Sequence, residues 1–324
     1  MLGKDSPMTI ANTHFRRFLV NTDLPRLAHL LAEVEAVDHS GEDISENTLR
    51  EQLTWLGHTP ALDRWVVEAP ANPDVLLGYS VVLTSATANH ADIYVTVHPA
   101  WRRQGIGSEL LKRTLTRVKE LKRLYAFVYA DKANQAANDF VRQRSFQPTA
   151  LYKEMYAPID IPLAAPVWPD GYSVHSYSTI QNIPLLMKVA NQSYHDMWGH
   201  RDMTEEEFQT MLVTQPAAGI FIAFSPTGET AAIVKAMVSE PLSLQLGKRI
   251  GYIDSVGVIP QHRAQGLYLP LLLTAMRWLR SLEPINFVLE SWDDAEQTLT
   301  LYEKVGFKTT KEATLYRCTL SLKA

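Results

Sequence analysis

The stretch that decides the fold occurs twice in this 324-residue chain. Residues 97–111 read VHPAWRRQGIGSELL, and residues 258–272 read VIPQHRAQGLYLPLL. Pro99, Arg102 and Gly105 are each matched by the same residue type 161 positions later. Two residues separated by 161 positions are called counterparts. A repeat at half the length of a chain indicates two copies of one folding unit, so the sequence predicts two tandem domains.

Each copy runs from an apolar strand through a basic, glycine-containing turn into a leucine-rich helix. The start of a helix carries unpaired N–H groups and partial positive charge, and anions bind there. Gly105 and Gly107 allow close approach of the backbone to a phosphate group, and Arg102 and Arg103 add charge nearby. The pattern therefore predicts a phosphate-binding loop rather than only an exposed helix start.

The composition limits the class of protein. Hydrophobic residues make up 46% and charged residues 20%, as in ordinary globular chains, and the net charge of −4 argues against a nucleic-acid binder. The single cysteine, Cys318, excludes an internal disulfide and fits a reducing compartment. Because no apolar run reaches the length of a membrane span and residues 1–10 lack a signal-peptide core, we expect a cytoplasmic monomer or homodimer without a membrane partner.

A proline-rich stretch divides the chain near its middle, with prolines at 158, 162, 166 and 169. Proline removes backbone donors and forbids helix continuation, so this stretch is predicted to be a linker. The predicted organisation is an N-terminal domain over 1–156, a linker over 157–170 and a C-terminal domain over 171–324.

Residue patterns predict the same order of elements in both halves. The predicted strands are 15–20, 65–68, 75–84, 91–97, 125–130, 147–156, 172–176, 220–224, 231–238, 250–258, 285–291 and 307–320. The predicted helices are 23–37, 45–56, 135–143, 183–193, 204–213 and 295–305, together with one after each glycine turn. Each half is thus a mixed α/β domain, with an antiparallel meander followed by a strand–helix–strand unit.

The pattern Arg-x-x-Gly-x-Gly after a strand ending Val-x-Pro resembles the acetyl-coenzyme A loop of the GNAT superfamily of acetyltransferases. Residues 102–107 match it in full, and residues 263–268 match except that Tyr268 replaces a small residue. The family's second signature, a helix ending near Leu-Tyr-Glu-Lys-x-Gly-Phe, is similar to residues 301–307, LYEKVGF, whereas the first half has FVRQRSF at 140–146. The tandem arrangement resembles that of mycothiol synthase-like proteins, which implies two tandem GNAT-like domains with a catalytic second domain and a catalytically degenerate first one.

The resemblance also implies residues for acetyl-CoA, whose pyrophosphate is held by the loop amides and whose pantetheine arm pairs with the preceding strand. In the first half these are Val95, Val97, Arg102, Arg103, Gln104, Gly105, Ile106, Gly107 and Ser108, with Asn134 as a further coenzyme contact. In the second half they are Val256, Val258, Arg263, Ala264, Gln265, Gly266, Leu267, Tyr268 and Leu269. The counterpart of Asn134 is Ala295, so that contact is missing in the second half.

The family's general acid is the tyrosine of the second signature, which Tyr302 supplies and which Val141 cannot supply in the first half. A phenol with a pKa of about 10 is a suitable donor to a thiolate with a pKa of about 8.5. An attacking amine must lose a proton, and Asp254 and Glu290, on the strands before and after the second loop, are the candidate bases. Either carboxylate could instead face the surface, and Tyr302 could instead be a core residue.

The segment 191–202, NQSYHDMWGHRD, has no equivalent in the first half. His195, Trp198 and His200 are candidate acceptor-binding residues, and the alternative is a turn anchored by the tryptophan. The two histidines do not form a metal-site motif, and no metal is expected.

Together these features predict an N-acetyltransferase that moves acetyl from acetyl-CoA to a primary amine of a small molecule or peptide by direct attack, in its C-terminal domain. The alternative is a non-catalytic acyl-CoA-binding or sensing protein that uses the N-terminal loop.

Overall fold

The computed structural model describes residues 13–40, 44, 46–54, 58–70, 72–84, 88–197, 200, 202–254 and 256–321. The chain folds as two compact units. Unit 1 contains residues 1–149 and 314–324, and unit 2 contains residues 150–313. Within the described ranges, no helix is both long enough and apolar enough to cross a membrane.

The elements of the first half follow the predicted order. The strands are β1 (His14–Arg17), β2 (Arg64–Ala69), β3 (Asn72–Leu83), β4 (His90–Val97) and β5 (Tyr125–Asp131). The helices are α1 (Val20–Asp38), α2 (Glu46–Gln52), α3 (Pro60–Asp63), α4 (Ile106–Glu120) and α5 (Gln135–Arg142).

The second half repeats this order. Its strands are β6 (Gln147–Pro158), β7 (Ser173–Ser176), β8 (Ile220–Phe224), β9 (Thr230–Val238), β10 (Ile250–Ile253), β11 (Gly257–Val258), β12 (Asn286–Trp292) and β13 (Lys308–Thr319). Its helices are α6 (Tyr177–Ile180), α7 (Ile183–Tyr194), α8 (Glu205–Thr214), α9 (Glu240–Leu246), α10 (Tyr268–Arg280) and α11 (Glu296–Val305).

The unit 1 sheet has the order β1-β2-β3-β4-β5 and is completed by the end of β13. Neighbours from β1 to β4 are antiparallel, whereas β4 and β5 are parallel. Helix α4 covers β3 and β4 because its buried residues recur at helical spacing, and they are Ile106, Leu110, Leu111, Thr114 and Val118. The helix therefore holds the phosphate-type loop at the end of β4.

The unit 2 sheet has the order β6-β12-β10-β9-β8-β7, with β11 also paired to β9. Strands β10 and β12 are parallel, and β12 is antiparallel to β6 on its other edge. Helix α10 packs on β8, β9 and β10 with an almost wholly apolar inner face. The parallel pair with its crossover helix lies where the repeat predicts it, one in each unit.

The unit bounds depart from the predicted domain bounds in one respect. Most of β6 lies in unit 2, and the last residues of β13 lie in unit 1, so each half lends a strand segment to the unit of the other half. Ala157 and Pro158, predicted as linker, belong to β6, and Ile159, Ile161, Leu163 and Trp168 of the predicted linker pack on the unit 2 core. Strand pairing between distant segments decides this, and local sequence does not report it.

The structure differs from the predicted elements at three places. The predicted strand 250–258 is interrupted, because β10 ends at Ile253 and only Gly257–Val258 resumes pairing, with β9. Helix α9 was not predicted, although Ser239 caps its start and Gly247, with a φ of 60°, ends it. Finally, residues 15–20 divide between β1 and the start of α1.

Candidate functional site

A cleft opens in unit 1 between the parallel strands β4 and β5. Their pairing covers His90–Asp92 with Tyr125–Phe127, while β4 continues beside β3 as far as Val97. Beyond Asp92 the two strands border a cavity of about 420 Å³. Its walls include the predicted coenzyme residues Val95, Val97, Arg102, Arg103, Gly105, Gly107, Ser108 and Asn134. The structure thus brings these residues together around one space.

The loop geometry in unit 1 suits an anion. Gly105 is the N-cap of α4 with a φ of 90°, and Arg103 is also left-handed with a φ of 65°. Gly105 has no side chain to accept from the first helix amides, and the Ser108 and Glu109 amides donate to its carbonyl (3.0 and 3.1 Å). A helix start without a side-chain cap is a place where anions bind. A Cβ on Gly107 would lie 3.5 Å from Phe140 and Val97, which is ordinary van der Waals contact.

The motif arginine ties the loop to the strand in both units. In unit 1, Arg102 donates from Nε to the Val97 carbonyl (3.1 Å) and from both Nη atoms to Asp38 (2.7 Å). In unit 2, Arg263 donates in the same way to the Val258 carbonyl (3.1 Å) and to Asp196 (2.5 and 2.6 Å). These bidentate pairs neutralise the arginine charge and fix the loop conformation.

The cationic side chains that line the unit 1 cleft beside this clamp are Arg103 and Arg144. Arg144 donates to Ser108 Oγ (2.6 Å) and to the Phe140 carbonyl (2.8 Å), and its guanidinium stacks on the Phe140 ring. Burial and the nearby Arg103 lower the pKa of Arg144. Two neighbouring guanidinium groups at a helix start have the charge and the donors that phosphate binding requires. Sequence reasoning missed Arg144, which lies beyond the second signature helix.

Asn134 and Val141 define the far wall of the cleft. Asn134 caps α5 by accepting from the Ala137 amide (3.0 Å), and it also lines the cavity. Val141 is buried there and offers no proton. Unit 1 therefore combines an open anion site with a wall that has no acid at the position of Tyr302.

In unit 2, polar groups surround the end of the parallel pair. Strands β10 and β12 pair over Ile250–Ile253 and Asn286–Leu289. Asp254 follows directly and donates its amide to the Lys235 carbonyl (2.9 Å), while Lys235 Nζ binds the Asp254 carboxylate (2.6 Å). The ammonium of Lys235 also lies 5.8 Å from the Tyr194 ring centre. Asp254 is therefore a carboxylate that is paired with Lys235 just after the end of β10.

Glu290 lies on β12 and accepts three hydrogen bonds. Tyr152 and Tyr252 each donate a hydroxyl at 3.0 Å, and Trp292 donates from Nε1 at 3.2 Å. Burial raises the pKa of Glu290; the tyrosine donors lower it, and Asp254 raises it further. The two predicted bases are thus close enough to interact, and Glu290 is the more buried of them.

Tyr302 on α11 is fully buried, with 0% of its surface exposed. Burial raises its pKa well above 10, and Asp294, Tyr268 and Tyr194 add to the increase. Its hydroxyl lies near the Val256 backbone but has no well-formed hydrogen bond among the described residues. The predicted acid therefore faces a small cluster of phenols and a carboxyl group.

The second loop differs from the first in charge and in space. Gly266 has a φ of 74°, and Leu267 is the N-cap of α10, so the helix starts at Tyr268. Tyr268, the counterpart of Gly107, packs against the unit 2 core, and burial raises its pKa. The counterparts of Arg103 and Arg144 are Ala264 and Val305. The second loop has thus lost two guanidinium groups and gained a phenol ring.

The remaining predicted residues are spread over this region. Val256 and Val258 are buried, and Val258 pairs with Ala232 on β9. His195 is exposed just after α7. The His200 ring lies 6.0 Å from the Tyr194 ring, and burial lowers its pKa. Trp198 lies outside the described residues.

Comparison with known proteins agrees with this geometry. The chain is 24% identical over 293 residues to a mycothiol acetyltransferase of Salinispora arenicola, covering 88% of this chain and 91% of the relative. A mycothiol acetyltransferase of Renibacterium salmoninarum is 25% identical and covers 88% of this chain and 85% of its own length.

Solved structures share the fold. A GCN5-related N-acetyltransferase from Sphaerobacter thermophilus superposes with a TM-score of 0.75 at 20% identity, covering 96% of this chain and 97% of the other. A tandem GNAT protein from the clavulanic acid biosynthesis pathway gives 0.69 at 15% identity, covering 96% and 100%. The model of the Acetyltransferase (GNAT) family matches residues 27–146 and 183–307, so the chain belongs to the GNAT acetyltransferase family as a tandem-domain acyltransferase that resembles mycothiol synthase-like proteins.

Proposed function

We propose that unit 2 transfers acetyl from acetyl-CoA to a primary amine of a small molecule or peptide by direct attack. The observation that carries the proposal is a connected group of side chains near the end of β10 and β12. Glu290 interacts with Asp254, and Tyr194 interacts with both Asp254 and Tyr302. The relatives' name points to an acceptor of the mycothiol type among small-molecule amines.

Glu290 is the favoured base, because Asp254 is held by Lys235. An amine is mostly protonated near neutral pH and must lose a proton before it can attack a thioester. A carboxylate whose pKa is raised by burial takes that proton more readily than an exposed one. Tyr302 would donate its proton to the departing thiolate. Cys318 lies in the unit 1 core, so no covalent cysteine intermediate is proposed.

The test is a thiol-release assay with acetyl-CoA and a panel of primary amines. Tyr302→Phe removes the phenolic proton and keeps the ring, so kcat should fall by about 10²- to 10⁴-fold if Tyr302 is the acid. Tyr177→Phe is the matched control, since Tyr177 is also buried in unit 2 but lies on α6. Unchanged turnover in Tyr302→Phe would show that the acid assignment is wrong.

A second candidate function is non-catalytic binding of acyl-CoA in unit 1. The observation that favours it is the 420 Å³ cleft lined by Arg103 and Arg144, together with valine at position 141. Isothermal titration with acetyl-CoA tests it. Arg144→Gln removes one of the guanidinium groups that line this cleft, so it should weaken binding in unit 1 and leave unit 2 unchanged. A protein that binds acetyl-CoA but turns over no amine would support this function over the first.

A further inference from the structure

A buried carboxyl group and a buried phenol lie close together in unit 2. The Tyr302 hydroxyl and Asp294 Oδ2 are both shielded from solvent, and neither has a well-formed hydrogen bond among the described residues. Almost all buried polar atoms in folded proteins form hydrogen bonds, so two neighbouring buried oxygens without one need an explanation. A phenol donates its O–H group, and a carboxyl group accepts or donates according to its protonation state, so the two are chemically complementary.

Both members of this pair are specific to the second half. The counterpart of Tyr302 is Val141, and the counterpart of Asp294 is Ala133. In unit 1 neither a donor nor an acceptor is present at these two positions. The carboxyl group and the phenol are thus present together in the second half and absent together from the first.

The groups around Asp294 raise and lower the pKa of its carboxyl group. Burial raises its pKa to about 6, the Ser291 hydroxyl lowers it, Asp293 raises it and the Tyr302 hydroxyl lowers it. The other titratable groups that face Tyr302 are Tyr268 on α10 and Tyr194 on α7. Asp294 precedes α11 but does not cap it, because the N-cap Ala295 has no side-chain hydrogen bond. The hydroxyl groups that interact with this carboxyl group are those of Ser291 and Tyr302.

We propose that Asp294 is the positioning residue of Tyr302 and decides where the phenolic hydrogen points. This rests on the proposed function, in which Tyr302 is the acid. Neutral Asp294 donates its O–H to the Tyr302 oxygen and leaves the phenolic hydrogen for the departing sulfur. Ionised Asp294 accepts the phenolic hydrogen and withdraws it from the sulfur.

The proton balance closes with the residues at hand. The acceptor nitrogen forms its bond to the acetyl carbon and gives its proton to Glu290, and the carbon–sulfur bond breaks. The sulfur takes the phenolic proton of Tyr302. The resulting phenolate takes the proton of neutral Asp294, and solvent returns one proton to Asp294 while Glu290 releases one.

The first test observes Tyr302 directly, without any substrate. In protein labelled with ¹³C at the tyrosine ring, the Tyr302 Cζ signal is assigned by its loss in Tyr302→Phe and followed from pH 4.5 to 8.5. We expect an inflection near the Asp294 titration in the wild type and its loss in Asp294→Asn. Asp293→Asn is the control, because Asp293 is exposed and its Oδ1 accepts from the Leu151 amide, which asparagine can also do. Since Asp293 raises the pKa of Asp294, the inflection should persist in this variant and move to lower pH. An inflection that persists in Asp294→Asn overturns the proposal.

The second test measures kcat with the best amine of the panel. An asparagine amide donates to the phenol at every pH, so Asp294→Asn should not lose activity as Asp294 would ionise. With a pKa of about 6, the neutral fraction of Asp294 falls from about a half at pH 6 to about a hundredth at pH 8, so the ratio of variant to wild-type kcat should rise by up to about 50-fold.

A ratio that does not change with pH contradicts the positioning role. If Asp294→Asn does not fold, Asp294→Ala restores the residue of the first half and serves in both tests, where it removes the inflection without supplying a donor. The two proposals fail separately. Absent turnover in the wild type refutes the proposed function, whereas normal turnover with an unchanged pH profile and Tyr302 signal in the variants refutes only the role of Asp294.

Discussion

Replacement of Asp92 by asparagine should change the stability of unit 1 more favourably at alkaline pH than at acidic pH. Asp92 is the last β4 residue paired with β5, opposite Phe127, at the point where the cleft opens. Burial alone raises its pKa to about 6. Its counterpart is Ile253, which is fully buried, so the same position in unit 2 carries a neutral side chain.

The sign follows from proton linkage. The folded state holds the Asp92 proton more tightly than the unfolded chain, whose aspartate pKa is about 3.9, so stability falls as pH rises from about 4 through the folded pKa of about 6. A difference of about two pKa units corresponds to about 3 kcal/mol at pH 8. At pH 4.5 about 1 kcal/mol of this penalty is present, so about 2 kcal/mol separates the two conditions.

The single cysteine provides the assay. Cys318 is buried in the unit 1 core together with Ala91 and Ile93, so its reaction with 4,4′-dithiodipyridine in increasing urea reports the opening of unit 1. The free energy of opening is measured for the wild type and Asp92→Asn at pH 4.5 and 8. The difference between the proteins should shift by about 2 kcal/mol in favour of the variant at pH 8.

Comparison between two pH values removes the intrinsic cost of burying an amide, because that cost is the same at both. Asp139→Asn is the matched control, since Asp139 is an exposed carboxylate on α5 of the same unit. A stability difference that is equal at pH 4.5 and pH 8 would refute the reasoning, and so would a shift in favour of the wild type.

Two further predictions concern the cleft and the unit 2 core. Arg144→Gln should weaken acetyl-CoA binding in unit 1 by about 10-fold or more, because a charge-assisted hydrogen bond contributes about 1.5–3 kcal/mol. Isothermal titration measures the affinity. The control is Arg142→Gln, which changes an exposed residue of α5 and should bind acetyl-CoA as the wild type does. Gly219→Ala should destabilise unit 2 by about 3 kcal/mol or more, because the new Cβ would lie 2.0 Å from the Ala236 carbonyl and 2.6 Å from the Trp278 ring; a urea midpoint equal to that of the wild type would contradict it.

Local sequence was sufficient for the repeated unit. The strand, glycine turn and apolar helix are encoded by neighbouring residues, and the structure confirms the mixed α/β fold with two parallel pairs, β4–β5 and β10–β12. The missed helix α9 also had a local signal, since Ser239, Pro241 and Gly247 are start and stop residues.

The partners of the site residues could not be predicted, because they come from distant segments. Asp38 binds Arg102 across 64 positions, and Asp196 binds Arg263 across 67. Asp38 is the last residue of α1 and Asp196 follows α7, and only the folded unit brings each carboxylate to its loop. The charge of Arg102, which the sequence assigned to phosphate, is therefore paired with Asp38. The other cationic side chains that line the cleft are Arg103 and Arg144.

The repeat by itself determined the two domains, the two loops and the contrast between Val141 and Tyr302, because each depends on residue order alone. Tertiary structure decided what those residues do. It packs the Tyr268 ring against the unit 2 core, surrounds Glu290 with three donors and places Asp294 beside Tyr302. The reason is that hydrogen bonding, burial and pKa depend on groups that meet only when strands and helices far apart in the chain pack together.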